Sequence, residues 1–189
     1  MSNITTTNRL KELLPQLFDT QKPAGNCYLR FGLTDKISGL IAIEHVRESI
    51  CIPSDRITAV PNLAEYVVGL TSSQNEVFLT LDLAHLAGLP PETVNLRQYQ
   101  TIVVKIDLLG NEARSDRNSL FGLAVKKIQG IERILPNRFV PIIDNLPPRL
   151  LPFIKGAVPQ RTENTPSTIQ EQYLFLIDIK QLIYDRTRA

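Results

Sequence analysis

The sequence predicts an all-β protein made of two similar β units built as one body. Segments of the first half of the chain resemble segments of the second half in the same order, which is typical of an internal repeat. Apolar and polar residues alternate over short stretches that Gly or Pro interrupts at about every ten residues. Short strands at that spacing favour barrels or sandwiches.

The repeat consists of three clear pairs of segments and a weaker fourth pair. Each pair is written here with the first-half segment first: ISGLIAIEHVRESICIP at 37–53 with LFGLAVKKIQGIERILP at 120–136, PNLAEYVVGL at 61–70 with PRLLPFIKGA at 148–157, VFLTLDLAHL at 77–86 with YLFLIDIKQL at 173–182, and YLRFGL at 28–33 with IVVKID at 102–107. We therefore predict one unit over about 28–90 and a second over about 100–183.

Within each unit, the local pattern predicts strands separated by prolines and one glycine bend. The runs at 37–53 and 120–136 are strand-like up to the proline that ends each of them. Gly69 and Gly156 predict a tight bend between two strands. The 13 prolines and 9 glycines disfavour long helices. Helix is therefore expected only in the leader, at 84–88 and at 180–187.

The first 26 residues are predicted to form a leader ahead of a domain at 27–189. RLKELLPQLF at 9–18 has leucines at helical spacing, interrupted by Pro15, and predicts a short amphipathic helix followed by a linker at 21–26. The sequence leaves two roles for this helix: it packs on its own domain, or it docks on another protein. The charged or polar insertions at 110–118 and 158–172 predict mobile loops. The alternative is that either loop binds a partner protein.

Composition excludes several classes of partner and compartment. The 21 basic and 19 acidic residues form no basic block, so no electrostatic footprint for nucleic acid or anionic lipid is present. Cys27 and Cys51 lie in apolar runs, which predicts small buried thiols in a reduced, cytosolic protein. No signal sequence and no apolar stretch of membrane-spanning length is seen.

Catalytic constellations are scarce in this sequence. His45 and His85 have no metal-ligand spacing to cysteines or carboxylates, and no metal site is predicted. Asp82 and Asp178 occupy equivalent places of the repeat and could meet as an acid and base. Each also ends an apolar strand before a helical segment, which favours helix capping instead. Without a phosphate loop or nucleophile elbow, we predict no enzyme and no cofactor.

The ordered set of segments resembles the CheW-like domains, the adaptors of bacterial chemosensory systems. YLRFGL, ISGLIAIEHVRES, VPNLAEYVVGL and VFLTLDL are similar to the first half of such domains, and LFGLAVKKIQGIERILP, LPFIKGAV and YLFLIDIKQL continue the similarity through residue 183. The leader and the form VVGLTSSQNEVFLTLDL look more like the cyanobacterial adaptors of pilus motility and phototaxis than the enteric form.

The resemblance implies two intertwined SH3-like five-stranded β-barrels around a shared hydrophobic centre, with short N-terminal and C-terminal helices. It implies a non-catalytic adaptor that couples a methyl-accepting chemoreceptor, at its cytoplasmic tip, to the regulatory domain of a CheA-type histidine kinase. The expected location is the cytoplasm, at membrane-associated receptor arrays. The alternative is a β-barrel module that binds a response regulator or a pilus component outside any kinase complex.

Partner-contact residues follow from the resemblance only where this sequence matches the family pattern. Val46 and Glu48 fit the family's V-x-E motif, and Gly69 fits its K-G or G-[VI] bend. Thr101 and Ile102 fit the strand beside the groove between barrels. A place in the core is the alternative for Val46. A carboxylate such as Glu48, flanked by apolar strand residues, needs solvent or a partner.

One stretch departs from the family pattern. Typical members read N-L-R-G where this chain reads Ser72, Ser73, Gln74 and Asn75. Asn75 can still form the turn, because Asn tolerates positive φ, whereas Gln74 carries no permanent charge. The departure predicts a different receptor class or a weaker receptor contact. Lys126 and Lys127 also stand where relatives often have an acidic residue.

Overall fold

The protein forms two five-stranded sheets and two α-helices over the parts of the chain described by this computed structural model, which are residues 24–93, 96–107, 119–141, 146–160 and 173–188. The strands are β1 (Asn26–Gly32), β2 (Ser38–Ala42), β3 (Val46–Pro53), β4 (Val67–Ser73), β5 (Glu76–Asp82), β6 (Gln98–Ile106), β7 (Ser119–Val125), β8 (Lys127–Ile134), β9 (Ile154–Pro159) and β10 (Tyr173–Ile177). The helices are α1 (Leu83–Leu86) and α2 (Ile179–Arg188). The predicted all-β fold is confirmed.

Each sheet takes strands from both halves of the sequence. Sheet A has the order β8-β1-β2-β10-β9, and sheet B has the order β3-β6-β7-β5-β4. If β1 to β5 are equated with β6 to β10, the two orders are the same, so the sequence repeat becomes a repeat of sheets. The pairings β1 with β8, β2 with β10, β3 with β6 and β5 with β7 all join one half to the other.

The runs 37–53 and 120–136, which were predicted to be strand-like, each hold two strands. The first run divides into β2 and β3 at the 3-10 turn Ile43–His45, and the second divides into β7 and β8 at Lys126. In both cases the chain leaves one sheet and enters the other at the break. Each break coincides with the end of a continuous apolar run, at Glu44 and His45 in the first and at Lys126 and Lys127 in the second. The change of sheet does not follow from that local pattern, because it depends on which strands pair.

The glycine bend predicted between two strands is instead a bulge inside one strand. Gly69 lies within β4, where the pairing with β5 shifts register between Val67 and Gly69. Gly156 lies beside a similar shift in the pairing of β9 with β10. Gly69 has a φ of +153°, and a Cβ there would lie 2.5 Å from the carbonyl oxygen of Thr58. Glycine is required at this close approach.

The described residues form two hydrophobic clusters, of which the larger joins the two sheets. The larger cluster draws buried residues from both sheets, among them Phe31, Phe175 and Leu123, and from helices α1 and α2. It is the shared hydrophobic centre that the resemblance implied. The smaller cluster takes one buried side chain from each strand of sheet A: Tyr28, Leu40, Ile134, Val158 and Leu174.

The edge strands of sheet A approach each other. Arg30 of β1 donates hydrogen bonds to Glu132 of β8 at 2.8 Å and to Gln160, which follows β9, at 2.9 Å. Arg138, just after β8, donates to the carbonyl oxygen of Pro159 in β9 at 3.3 Å. The sheet therefore curls so that its two ends meet, consistent with the predicted barrel.

Several local predictions can be compared with the structure. Helices were expected at 84–88 and 180–187, and α1 and α2 confirm both within about two residues. The linker at 21–26 and the loop at 158–172 extend too far, because Asn26 belongs to β1 and both Val158 and Pro159 belong to β9. The predicted leader helix at 9–18 and the loop at 110–118 lie outside the described residues.

The two cysteines are free, but they are not both buried. Cys27 is half-buried in sheet A, and Cys51 is exposed in sheet B. Cys51 faces outward because the next residue of β3, Ile52, faces inward and is 4% exposed. The prediction of buried thiols is wrong for Cys51, whose Sγ lies 3.4 Å from Oε1 of Gln98.

Candidate partner-binding surface

The start of β3 and the turn between β4 and β5 come together at one end of sheet B. Nε2 of Gln74 donates a hydrogen bond to Oε2 of Glu48 at 3.0 Å. Arg47 forms an ion pair with Glu76. These contacts join the edge strand β3 to the hairpin of β4 and β5 at the other side of sheet B, much as Arg30 and Arg138 join the two ends of sheet A. We call Arg47, Glu48, Gln74, Asn75 and Glu76 the hairpin surface.

The turn of the hairpin surface has an unusual backbone. Ser73 pairs with Glu76, so Gln74 and Asn75 form a two-residue loop. Their φ angles are +48° and +67°. Positive φ at both central residues is the pattern of a type I′ turn, which suits the twist of the flanking strands. The predicted positive φ at Asn75 is confirmed, and Gln74 adopts the same conformation although Gln rarely does so.

The remaining predicted contact residues lie deeper in the molecule. Thr101 and Ile102 are fully buried in β6, which is paired on both sides by β3 and β7. Val46 is half-buried and packs against the larger hydrophobic cluster, and Gly69 is buried in β4. The structure therefore brings Glu48, Gln74 and Asn75 to one surface. It places Val46, Gly69, Thr101 and Ile102 in supporting positions whose side chains offer little or no surface.

The hairpin surface combines charge with nearby apolar area. Glu48 and Glu76 supply two negative charges against the one positive charge of Arg47, and all three side chains are partly or fully exposed. Val77, the next residue along β5, is 67% exposed, and Leu70 in β4 is 36% exposed. A carboxylate-rich rim beside exposed aliphatic residues is suited to contact with another protein.

Sequence reasoning did not identify Arg47 and Glu76 as members of this surface. Arg47 is the unpaired residue at a bulge in β3, because Val46 pairs with Val104 and Glu48 with Val103. The bulge turns Arg47 toward the β4–β5 turn. The sequence holds one signal for the bulge, since Arg47, Glu48 and Ser49 are three polar residues in succession and interrupt the alternation of polar and apolar residues in this run.

The two aspartates considered as a catalytic pair both cap helices, as predicted. Asp82 accepts a hydrogen bond from the backbone of His85 at 2.9 Å at the start of α1. Asp178 accepts one from the backbone of Gln181 at 3.0 Å in the first turn of α2. Asp82 is 4% exposed and also accepts bonds from the backbone of Glu92 and from Thr93. These bonds occupy its oxygens and leave little capacity for proton transfer.

Two charged side chains, Asp178 and Lys126, have pKa values shifted from their ordinary values. Partial burial alone would raise the pKa of Asp178, but hydrogen bonds from Lys155 and from the backbone of Gln181, together with the Lys155 charge, lower it overall. The side-chain hydrogen bond to Asp35, followed by the one to Glu92, raises the pKa of Lys126. Lys126 thus uses its charge to join the β1–β2 turn to the connection between the two halves.

The described residues hold no group of three or more His, Cys, Asp or Glu side chains that could bind a metal ion. His45 and His85 each lie 3.8 Å from one glutamate, Glu44 and Glu65 respectively. No helix in the described part of the chain combines the length and the apolar character needed to cross a membrane.

Comparison with known proteins gives a family and a fold. The family described as CheW-like domain matches residues 28–187. The crystal structure of the scaffolding protein TtCheW from Thermoanaerobacter tengcongensis is similar, with a TM-score of 0.62 and 17% sequence identity over 86% of this chain and 90% of that one. No curated protein matches the chain.

Proposed function

This chain belongs to the CheW-like domain family, and we propose that it is a non-catalytic adaptor that couples a chemoreceptor to a CheA-type histidine kinase. The family match over residues 28–187 is the observation that carries this proposal. The two-sheet fold shared with a CheW scaffolding protein supports it. We further propose that the adaptor serves pilus motility or phototaxis in the cytoplasm, following the resemblance of its leader and its β4–β5 hairpin.

We propose that the hairpin surface contacts the kinase regulatory domain. Glu48 is the main contact residue in this proposal, since it fits the family's V-x-E motif and its carboxylate lies at the surface. Among the described residues it accepts one side-chain hydrogen bond, from Gln74, and a carboxylate has acceptor capacity beyond that for a partner's donors. Val46 and the buried residues Thr101 and Ile102 support the strands that present Glu48.

A binding titration with the regulatory domain of a CheA-type kinase from the same organism tests this proposal. Reversing the charge in Glu48→Arg should weaken binding about tenfold, a loss within the range for charged contacts at interfaces. Glu44→Arg is the matched control, because Glu44 is exposed in the neighbouring 3-10 turn, where it lies 3.8 Å from His45. Equal weakening by both variants would remove Glu48 from the interface, and absence of binding by the unchanged protein would refute the adaptor proposal.

The missing arginine of the β4–β5 turn gives a second test, directed at the receptor. Gln74→Arg places a permanent charge where typical family members have one, and Glu48 can still accept its hydrogen bond. We expect this variant to bind a chemoreceptor cytoplasmic fragment several-fold more tightly than the unchanged protein. Unchanged or weaker binding would show that this adaptor contacts its receptor by other residues.

The same titrations address the alternative of a module that binds a response regulator or a pilus component. Purified response regulators and pilus motor components from the organism can replace the kinase domain in the binding titration. Tight binding of one of these, with no binding of the kinase domain, would favour the alternative.

A further inference from the structure

A cavity of about 280 Å³ opens where the two edge strands of sheet A meet, on the sheet opposite to the hairpin surface. Its floor is apolar, because Ile134, Val158 and Leu174 line it and each is at most 3% exposed. These three residues belong to the smaller hydrophobic cluster. The cavity therefore leads from solvent to the apolar interior of the curled sheet.

The rim of this cavity is positively charged. Arg30, Arg133 and Arg138 line it together with one carboxylate, that of Glu132. Arg30 forms an ion pair with Glu132 at 2.8 Å, so these two charges offset each other. Arg133 is itself engaged and donates a hydrogen bond to the carbonyl oxygen of Gly25 at 3.3 Å, so the charge considered for a ligand is that of Arg138.

Arg138 is the rim residue with the greatest capacity for a ligand. It is exposed, and in the described part of the chain its one hydrogen bond goes to the carbonyl oxygen of Pro159 at 3.3 Å. A guanidinium has five N–H donors, and a carboxylate is the group that it binds best in a fork geometry. Arg30, by contrast, already donates to Gln129, Glu132 and Gln160.

The walls of the cavity are backbone edges. β8 and β9 are the end strands of sheet A, and among the described residues β9 is bridged on its outer side only by Val140, opposite Ala157. Such edges present N–H and C=O groups to an added extended chain. Shape, charge and backbone together fit a peptide better than a small anion.

We propose that this cavity binds an extended segment of a partner protein in which a carboxylate lies beside an aliphatic side chain. The carboxylate pairs with Arg138, the aliphatic side chain enters the cavity above Val158 and Leu174, and the segment's backbone follows the β8 edge. This inference does not rest on the proposed function, since it concerns sheet A and the kinase contact concerns sheet B.

Fluorescence anisotropy with a labelled peptide of alternating glutamate and leucine tests the proposal on the full chain. We expect the peptide to bind, and we expect Arg138→Gln to weaken binding by about three- to tenfold and Arg138→Glu to weaken it further, as for loss of a charge-assisted hydrogen bond. Arg56→Gln and Arg56→Glu are the matched controls, since Arg56 ends the equivalent 3-10 turn of sheet B and is exposed. They should leave binding unchanged.

Three results would overturn the proposal. They are no binding of the glutamate peptide by the unchanged protein, equal losses in the Arg56 and Arg138 variants, and equal binding of a control peptide with glutamine in place of glutamate. Displacement of the peptide by millimolar acetate would likewise mean that the cavity is a small-anion site. Glu48→Arg should leave peptide binding intact, which separates this test from the kinase titration.

Discussion

Asp82 and Asp178 both cap a helix, but their surroundings differ. Each accepts a backbone hydrogen bond at the start of a helix that follows the last strand of its repeat unit. Asp82 is buried and also holds the connection at Glu92 and Thr93, whereas Asp178 is partly exposed and pairs with Lys155. The capping role follows from local sequence alone. The additional partners of Asp82 come from a connection ten residues away, which no local pattern reveals.

Truncation of these two residues should therefore have unequal costs. Asp82→Ala leaves three backbone N–H groups and the Thr93 hydroxyl without their acceptor, and we expect a loss of about 3 kcal/mol in the free energy of unfolding. Asp178→Ala should cost about 1 kcal/mol, the usual value of a helix cap. Urea unfolding measures both, and equal costs would contradict the assigned role of the Glu92–Thr93 contacts.

The lowered pKa of Asp178 predicts a pH dependence of stability. Because its pKa is lower in the folded than in the unfolded protein, Asp178 stabilises the fold above its unfolded value of about 4 and loses this effect as pH falls through the lower folded value. The stability difference between the unchanged protein and Asp178→Asn should be constant near neutral pH and shrink in acid. Lys155→Met, which removes the ion-pair partner, should reduce this pH dependence. A difference that grows on acidification would contradict the sign.

At the scale of the element, the bulges and turns depend on residues with restricted conformations. Gly69 allows β4 to bulge against Thr58, and the turn at Gln74 and Asn75 sets the register of β4 and β5. The alternation of polar and apolar residues predicts which face of a strand is buried. It does not fix the pairing register, because a shift of the register by two residues leaves the same face buried. Gly39 pairs with Phe31, and the equivalent Gly122 pairs with Val103, so the alignment of 28–33 with 102–107 is displaced by two residues.

Two glycines with positive φ should respond differently to alanine. At Gly69, a Cβ would lie 2.5 Å from the Thr58 carbonyl oxygen, so Gly69→Ala should cost about 3 kcal/mol or more and shift the bulge. At Gly130, with φ of +114°, nothing lies within 4 Å of an added Cβ. Gly130→Ala should then cost about 1 kcal/mol from backbone strain alone. Thermal unfolding compares them, and a smaller effect at Gly69 would refute the close approach.

At the scale of the whole molecule, the repeat in the sequence predicted two equivalent units but not which strands each unit shares. Within the described residues, four strand pairings join one half of the chain to the other, and the larger hydrophobic cluster contains residues from both halves. The switches at Ile43–His45 and Lys126 produce this exchange. Their consequence is long-range, because it depends on partners about a hundred residues away. The hairpin surface was predictable at Glu48, Gln74 and Asn75 through family resemblance, whereas Arg47 and Glu76 required the bulge.

Because the strands are exchanged, neither half of the chain should fold alone. A fragment of residues 1–93 keeps only the pairings of β1 with β2 and of β4 with β5, and a fragment of residues 94–189 keeps only the two equivalent pairings. Isolated two-stranded hairpins are marginally stable in water. Each fragment should show no cooperative unfolding by circular dichroism, while an equimolar mixture should recover a cooperative transition as the exchanged pairings form. A cooperative transition in either fragment by itself would show that the two units are independent domains.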